Sequence, residues 1–202
     1  MGNRVCASQF LFCANRAIAF DLISSVLSEY GLIQEPDGAD RDVLNVEECY
    51  LEKGGEFWVV EQHGKIVDTS AYYPISRGQN AVKIRKMYLL LEARQKGLGT
   101  FLLKTLEQAI CKQGFQQIWI ETASVLKEAV LLYERNGYQP SDGVEIERCD
   151  PSELAKQSRL RQSFLKSGLF DGLLWIIQKV KVLPKCHDRC LPHLEFVQVA
   201  LC

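Results

Sequence analysis

Two glycines, Gly97 and Gly99, interrupt a run of bulky and charged residues, Arg94-Gln95-Lys96-Gly97-Leu98-Gly99-Thr100, just before a segment with the apolar spacing of a helix. A helix start leaves about four backbone N–H groups without partners and carries a partial positive charge, so such a turn is an anion cradle. Glycine at 97 and 99 lets a phosphate approach the backbone, where a Cβ would obstruct it. Lys96 and Arg94 add cationic charge. The chemistry on offer is the binding of a phosphate-bearing molecule. The turn lacks the Gly-Lys-Ser/Thr of a Walker loop, and its spacing is one glycine short of the dinucleotide fingerprint. Near the other end, Cys186-His187-x-x-Cys190-x-x-His193 supplies four zinc-binding side chains. The spacing between its pairs is too short for a finger, and no metal is expected.

Those residues need elements to hold them. Ile18, Leu22, Val26, Leu27 and Tyr30 predict an amphipathic helix over Ala17 to Tyr30, stopped by Gly31. A loop over Glu35 to Asp42 precedes a short helix predicted over Val43 to Lys53 and ended by Gly54-Gly55. Phe57 to Val60 and Lys65 to Val67 flank the turn His63-Gly64, and Arg77-Gly78-Gln79-Asn80 separates Ala71 to Ile75 from Val82 to Leu90. The expectation is three consecutive antiparallel strands. Leu102, Leu103, Leu106, Ala109 and Ile110 then share a face of a helix over Thr100 to Lys112. A strand over Gln117 to Thr122 and a helix over Val125 to Asn136 follow. A crossover of this length makes the strands on either side of the glycine turn parallel neighbours. The predicted fold class is α/β, with a mixed, mostly antiparallel central sheet, one parallel strand pair and flanking helices.

Composition excludes several functions. With 202 residues, 47% hydrophobic and 24% charged, the chain is long enough to bury a real core but not to form two full domains. A net charge of −1 gives no electrostatic reason to expect nucleic acid. No apolar run reaches the roughly 18 residues of a spanning helix, because Asp171, Gln178 and Lys179 interrupt Leu169 to Val182. Residues 151–202 are basic, with eight Lys/Arg against four Asp/Glu, whereas the rest of the chain is acidic. The domain is therefore expected over 1–150 and a basic extension over 151–202. The start, Met1-Gly2-Asn3-Arg4, is only weakly signal-like, so the eight cysteines are read as reduced and the protein as cytoplasmic.

Taken with its neighbours, the turn resembles the signature of the GNAT superfamily of N-acetyltransferases, Arg/Gln-x-x-Gly-x-Gly/Ala. The likeness runs from about Phe57 to Tyr138 and includes Lys86-Met87-Tyr88-Leu89 before the turn and Leu132-Tyr133-Glu134-Arg135-Asn136-Gly137-Tyr138 after the last strand. The resemblance implies a GNAT-like fold and acetyl-CoA as cosubstrate. It implies that the backbone of Met87, Tyr88 and Leu89 pairs with the pantetheine arm, and that the amides of Gln95, Lys96, Gly97, Leu98, Gly99 and Thr100, with Arg94 beside them, hold the pyrophosphate. Tyr133 matches the family tyrosine that protonates the departing thiolate, and a phenol keeps its proton at neutral pH. An ammonium acceptor must first lose a proton, for which Glu121 is the best-placed carboxylate, with Glu61 behind it; His63 is read as a turn residue. The family's asparagine seven positions before this tyrosine is here Leu126.

The expected partner is a small-molecule amine, an amino acid or a peptide, with no nucleic acid and no stable membrane insertion. An alternative is a module that binds acyl-CoA without turnover. In the extension, Leu165, Leu169, Leu173, Ile176 and Val180 predict a basic amphipathic helix packed on the domain or on a second subunit in a homodimer. A membrane surface is a further reading for that helix. Leu194 to Leu201 reads as a strand, either the last of the sheet or part of a tail outside the fold.

Overall fold

The computed structural model describes residues 12–141 and 176–182. Helix α1 covers Phe12–Glu29 and buries Ala19, Leu22, Ile23, Val26 and Leu27; of the residues whose spacing marked the helix, Leu22, Val26 and Leu27 lie on this face, while Ile18 is exposed. Gly31, at φ 69°, turns the chain away in the left-handed conformation that glycine adopts freely. The single helix predicted over Val43 to Lys53 is instead a short α2, Arg41–Leu44, followed by a π-helical turn, Glu47–Leu51. The break has a local cause. Asn45 turns its side-chain amide onto the Arg41 carbonyl at 2.9 Å, competing with the helical ladder.

Strands β1 (Glu56–Gln62), β2 (Lys65–Ile75) and β3 (Ala81–Leu89) form the antiparallel meander. The pieces predicted on either side of Asp68 are one continuous β2. A 3-10 turn at Leu91–Ala93 leads to the glycine turn and helix α3, Leu98–Lys112. Strand β4, Gln117–Ala123, runs parallel to β3 as predicted, and helix α4 covers Lys127–Arg135. A two-residue β5, Gln139–Pro140, and β6, Ile176–Val182, complete the sheet in the order β1-β2-β3-β4-β6-β5.

The helix predicted through Ile176 and Val180 is corrected here, because these residues lie in β6, antiparallel to β4 from Ala123↔Ile176 to Gln117↔Val182. Ile176, Ile177, Val180 and Val182 are β-branched, and β-branched side chains pack well on a pleated surface. Their three-and-four spacing fitted either element. Leu165, Leu169, Leu173, the run Leu194 to Leu201 and the Cys186 to His193 cluster lie outside the described residues. Among the described residues, no helix is long and apolar enough to cross a membrane. The reading of all thiols as reduced is corrected at buried Cys49, which is disulfide-bonded; a count of thiols does not pair them.

Alternation along β2 separates two cores. Ala71 and Tyr73 join α1 and the π-turn on one face, with Tyr50 and Phe57. Tyr72 joins α3 and α4 on the other, with Leu102, Leu103, Leu106, Ile110 and Tyr133. At about 1.5–3 kcal/mol for each fully buried side chain, the α3 residues fix that helix firmly, and with it the turn at its start.

Candidate active site

The parallel ladder between β3 and β4 is short, from Ala81↔Gln117 to Ile84↔Ile120. Beyond Ile84 the strands part. Lys86 sits at φ 55°, and the β2–β3 register slips from Thr69↔Tyr88 to Ala71↔Arg85, so two residues of β3 face one of β2. After the bulge at Lys86 and Met87, Tyr88 and Leu89 still pair with β2, and from Met87 to Leu89 β3 has no partner across the fork. Its backbone N–H and C=O groups on that side are available to an extended ligand.

The bulge is locked from the α1 face. Lys86 bonds Asp40 and donates to the Ala39 carbonyl at 3.1 Å, while Arg85 reaches Asp42 at 2.9 Å and Ala39 at 3.0 Å. The Tyr50 hydroxyl donates to Asp42 at 2.6 Å. Burial pushes the Asp42 proton affinity up, but the charges of Arg85 and Lys86 and the Tyr50 hydrogen bond outweigh it and hold the carboxyl below its ordinary range.

A cleft of about 590 Å³ opens at the fork. Met87, Tyr88, Leu89, Arg94, Gln95, Gly97, Gly99, Thr100 and Tyr133 all line it, together with Leu126 and Glu128. Lys96 and Leu98 belong to the same turn without lining the cleft. Gln95 (φ 59°) and Gly97 (φ 78°) are both left-handed, which curls the backbone into a concave loop leading to the α3 start. Gly97 is the α3 N-cap, and a Cβ added there meets no atom within 4 Å. At Gly99 a Cβ would touch the Leu132 and Leu89 side chains at 3.5 and 3.7 Å. The space over Gly97 is open to an incoming group, whereas two leucine side chains flank Gly99.

The cationic residues of the turn are held by neighbouring groups of the protein. Arg94 donates from Nε to the Leu89 carbonyl at 2.8 Å and pairs with Glu29 of α1 at 2.7 Å, while Lys96 donates to the Glu92 carbonyl at 2.8 Å. Arg94 therefore braces the turn against α1 and the end of β3. The Tyr30 hydroxyl, donating to Glu128 at 3.2 Å, joins α1 to α4 across the cleft. Nothing in the sequence signals that contact, since the two residues are 98 positions apart.

Tyr133 projects from α4 into the inner end of the cleft and is almost wholly buried. Burial raises its pKa, and the nearby Tyr88 and Asp68 raise it further. Its phenol thus holds its proton throughout the neutral range. Glu121 is the first residue of β4 past the parallel ladder and does not line the cleft; Lys83 holds its carboxylate at 2.7 Å. Glu61 pairs with Ile66 near the end of β1, and exposed His63 occupies the β1–β2 turn at φ 54°. Sequence reasoning passed over Asp68, fully buried beside this site. The one available signal was an acid standing between the two predicted strand pieces Lys65 to Val67 and Ala71 to Ile75. Among the described residues, no group of three or more potential metal ligands occurs.

Against known proteins, residues 53–140 match the acetyltransferase (GNAT) domain family. The chain is 36% identical over 132 residues to the uncharacterized N-acetyltransferase YjgM of Escherichia coli, which spans 63% of this chain and 78% of that protein. It is 28% identical over 142 residues to the probable N-acetyltransferase camello of Xenopus tropicalis, spanning 66% and 65% of the two chains. Only 44% of the probable N-acetyltransferase family 8 member 5 of the mouse is spanned, at 28% identity. In fold the chain is similar to an acetyltransferase of the GNAT family from Staphylococcus aureus Mu50, with a TM-score of 0.64, 20% identity, and 85% and 95% of the chains covered. A Streptococcus agalactiae acetyltransferase also has a TM-score of 0.64, at 16% identity, with 89% and 96% covered.

Proposed function

Because this chain belongs to the GNAT family of N-acetyltransferases, we propose that it moves the acetyl group of acetyl-CoA to an amine by direct attack, with Tyr133 as the general acid. One observation carries the reading. A single cleft runs from the α3 start, past the unpartnered edge of Met87 to Leu89, to the buried phenol of Tyr133.

The diphosphate sits over the amides of Gln95 to Thr100, where the helix start favours negative charge. The pantetheine arm lies against the free edge of β3, between Leu126, Ala129 and Leu132 on the α4 side and Leu89 and Leu91 on the other. Leu126 offers that arm packing instead of an amide contact. The amine attacks the thioester carbonyl, the C–S bond breaks, and the thiolate takes the Tyr133 proton. Glu121, held at the fork by Lys83, accepts the proton that the acceptor ammonium sheds, through water. The acceptor is a small amine, an amino acid or a peptide.

The test is release of CoA, followed with a thiol reagent over a panel of amines, amino acids and peptides. Tyr133→Phe is expected to lower kcat by about 10²-fold or more and to leave acetyl-CoA affinity within about twofold. Acetyl-CoA binding without release on any acceptor would replace the enzyme reading with that of an acyl-CoA-binding module.

A further inference from the structure

Asp68 stands in the middle of β2 with no exposed surface, and neither of its carboxyl oxygens makes a well-formed hydrogen bond among the described residues, the Thr69 backbone amide being a weak donor to it at most. Buried polar side chains are nearly always satisfied, so an exception calls for a function or a compensating group. The ladders on both sides of β2 are made by backbone, and the carboxyl contributes to neither.

The register shows which way it faces. Asp68 lies opposite Val60 of β1 and opposite Leu89 of β3. Directly opposed residues in antiparallel strands share a face. Val60 packs on the core that contains Tyr133, and Leu89 lines the cleft. Asp68 thus points to the α3 and α4 side, beneath the inner end of the cleft. The titratable groups around it are Tyr133 of α4, whose hydroxyl feels the Asp68 charge, and Tyr88 of β3, which acts on that same hydroxyl. Ser70, two residues along on the same face, is also buried, and its hydroxyl also lacks a partner.

We propose that Asp68 is a positioning residue for acetyl transfer, keeping its carboxyl neutral and returning a proton to Tyr133 in each turnover. The inference rests on Tyr133 being the general acid. When the thiolate takes the phenol proton, Tyr133 is left as a phenolate among apolar side chains. The proton of the Asp68 carboxyl passes to that oxygen, directly or through one water, breaking one O–H bond and forming another. The Asp68 carboxylate then regains a proton equivalent to the one the acceptor nitrogen lost on becoming an amide. Counted from the ammonium, two protons leave nitrogen: one goes to Glu121 and on to solvent, and the other balances the proton that arrives on sulfur, with no other reactant. Burial holds Asp68 well above the ordinary carboxylate range, with only the Thr69 backbone amide pulling the other way. A buried carboxyl whose proton affinity is raised in this way keeps its proton more readily than an ordinary carboxyl and can still give it to a phenolate, the stronger base.

The experiment compares Asp68→Asn, Asp68→Val and Tyr133→Phe with the parent chain, using acetyl-CoA and the acceptor from the amine panel that gives fastest release. Asp68→Asn is expected to lower kcat by about tenfold or more and leave KM for acetyl-CoA within about twofold. It should also abolish the fall in kcat that the parent shows as rising pH strips the Asp68 proton. Asp68→Val, close in size and suited to a strand, should melt several degrees higher than the parent at pH 8, with the gain shrinking toward pH 3. The direction follows from linkage. An acid whose folded pKa is raised contributes its full stability below the unfolded value, near 4, and loses it as pH rises through the folded value. Asp68→Asn with the parent's kcat and pH profile would overturn the inference, even if Tyr133→Phe is slow. A loss of melting temperature in both Asp68 variants would also overturn it, by showing a packing role. If Tyr133→Phe turns over like the parent, or the parent releases no CoA, the acid assignment itself fails and takes this inference with it.

Discussion

Gly97 offers a way to separate the electrostatics of the glycine turn from its folding. Its φ of 78° is left-handed, and a side chain in that conformation costs about 1–2 kcal/mol, less for asparagine or aspartate. No atom within 4 Å opposes a Cβ there, so no steric cost adds to it. For a chain of this size, Gly97→Asn and Gly97→Asp should both fold and melt roughly 2–8 °C lower. The two side chains have nearly the same shape and differ by one charge. Opposite a phosphate about 4 Å away, that charge is worth between ~1 kcal/mol in water and ~4 kcal/mol near a protein surface. The turn is exposed, so a value of about 2 kcal/mol is expected, equivalent to roughly 30-fold in affinity. Calorimetric titration with acetyl-CoA should show Asp binding about 30-fold more weakly than Asn, with the gap narrowing as salt is raised. Equal affinities for the two variants, or a gap indifferent to salt, would refute the placement of the diphosphate on this turn.

At Gly99 the prediction has opposite signs for stability and binding. The Cβ of Gly99→Ala makes ordinary contact with Leu132 and Leu89, and alanine gains about 1 kcal/mol over glycine within a helix. The variant should melt about 2–4 °C higher yet bind acetyl-CoA tenfold or more weakly, by titration; higher affinity would show that ligand does not approach there. Lys86→Met removes the cation shared by Asp40 and Asp42 and should cost about 3–5 kcal/mol, on the order of 10 °C in melting temperature. Because Asp42 is held below its ordinary range, its contribution is present above about pH 4 and is lost as pH falls further. Acid unfolding of Lys86→Met, followed by circular dichroism, should therefore begin at higher pH than in the parent.

The element order from α1 to α4 was legible because the chain writes it in local terms. Leu102, Leu103, Leu106 and Ile110 report a helix period, His63-Gly64 and Gly78 mark tight turns, and glycines close α1 and α3. The parallel pair followed from connection length alone. What was not legible depends on partners distant in sequence. Ile176 to Val182 carries a spacing that suits a helix and a composition that suits a strand, and β4 decides between them by offering a free edge. Arg94 reads as a phosphate ligand in the motif, and its pairing with Glu29, 65 residues earlier, is a contact that the motif does not signal. Asp68 escaped because an acid in a strand usually marks a solvated face, and its burial exists only once the domain has packed around β2.

The two cores have complementary effects on the site. On the α1 face, the Asp40 and Asp42 carboxylates hold Arg85 and Lys86 in the bulge, and the bulge turns β3 away from β4 beyond Ile84. On the other face, the helices that bury Leu103, Leu106 and Tyr133 set the glycine turn and the phenol at opposite ends of the gap so formed. Neither core forms the cleft alone. A sheet left regular at Lys86 would pair Met87 to Leu89 with β4 and leave no edge for an extended ligand. The left-handed Lys86, an unfavourable conformation for a lysine, is thus held by the ion pairs that surround it, and that conformation opens the edge on which the proposed chemistry depends.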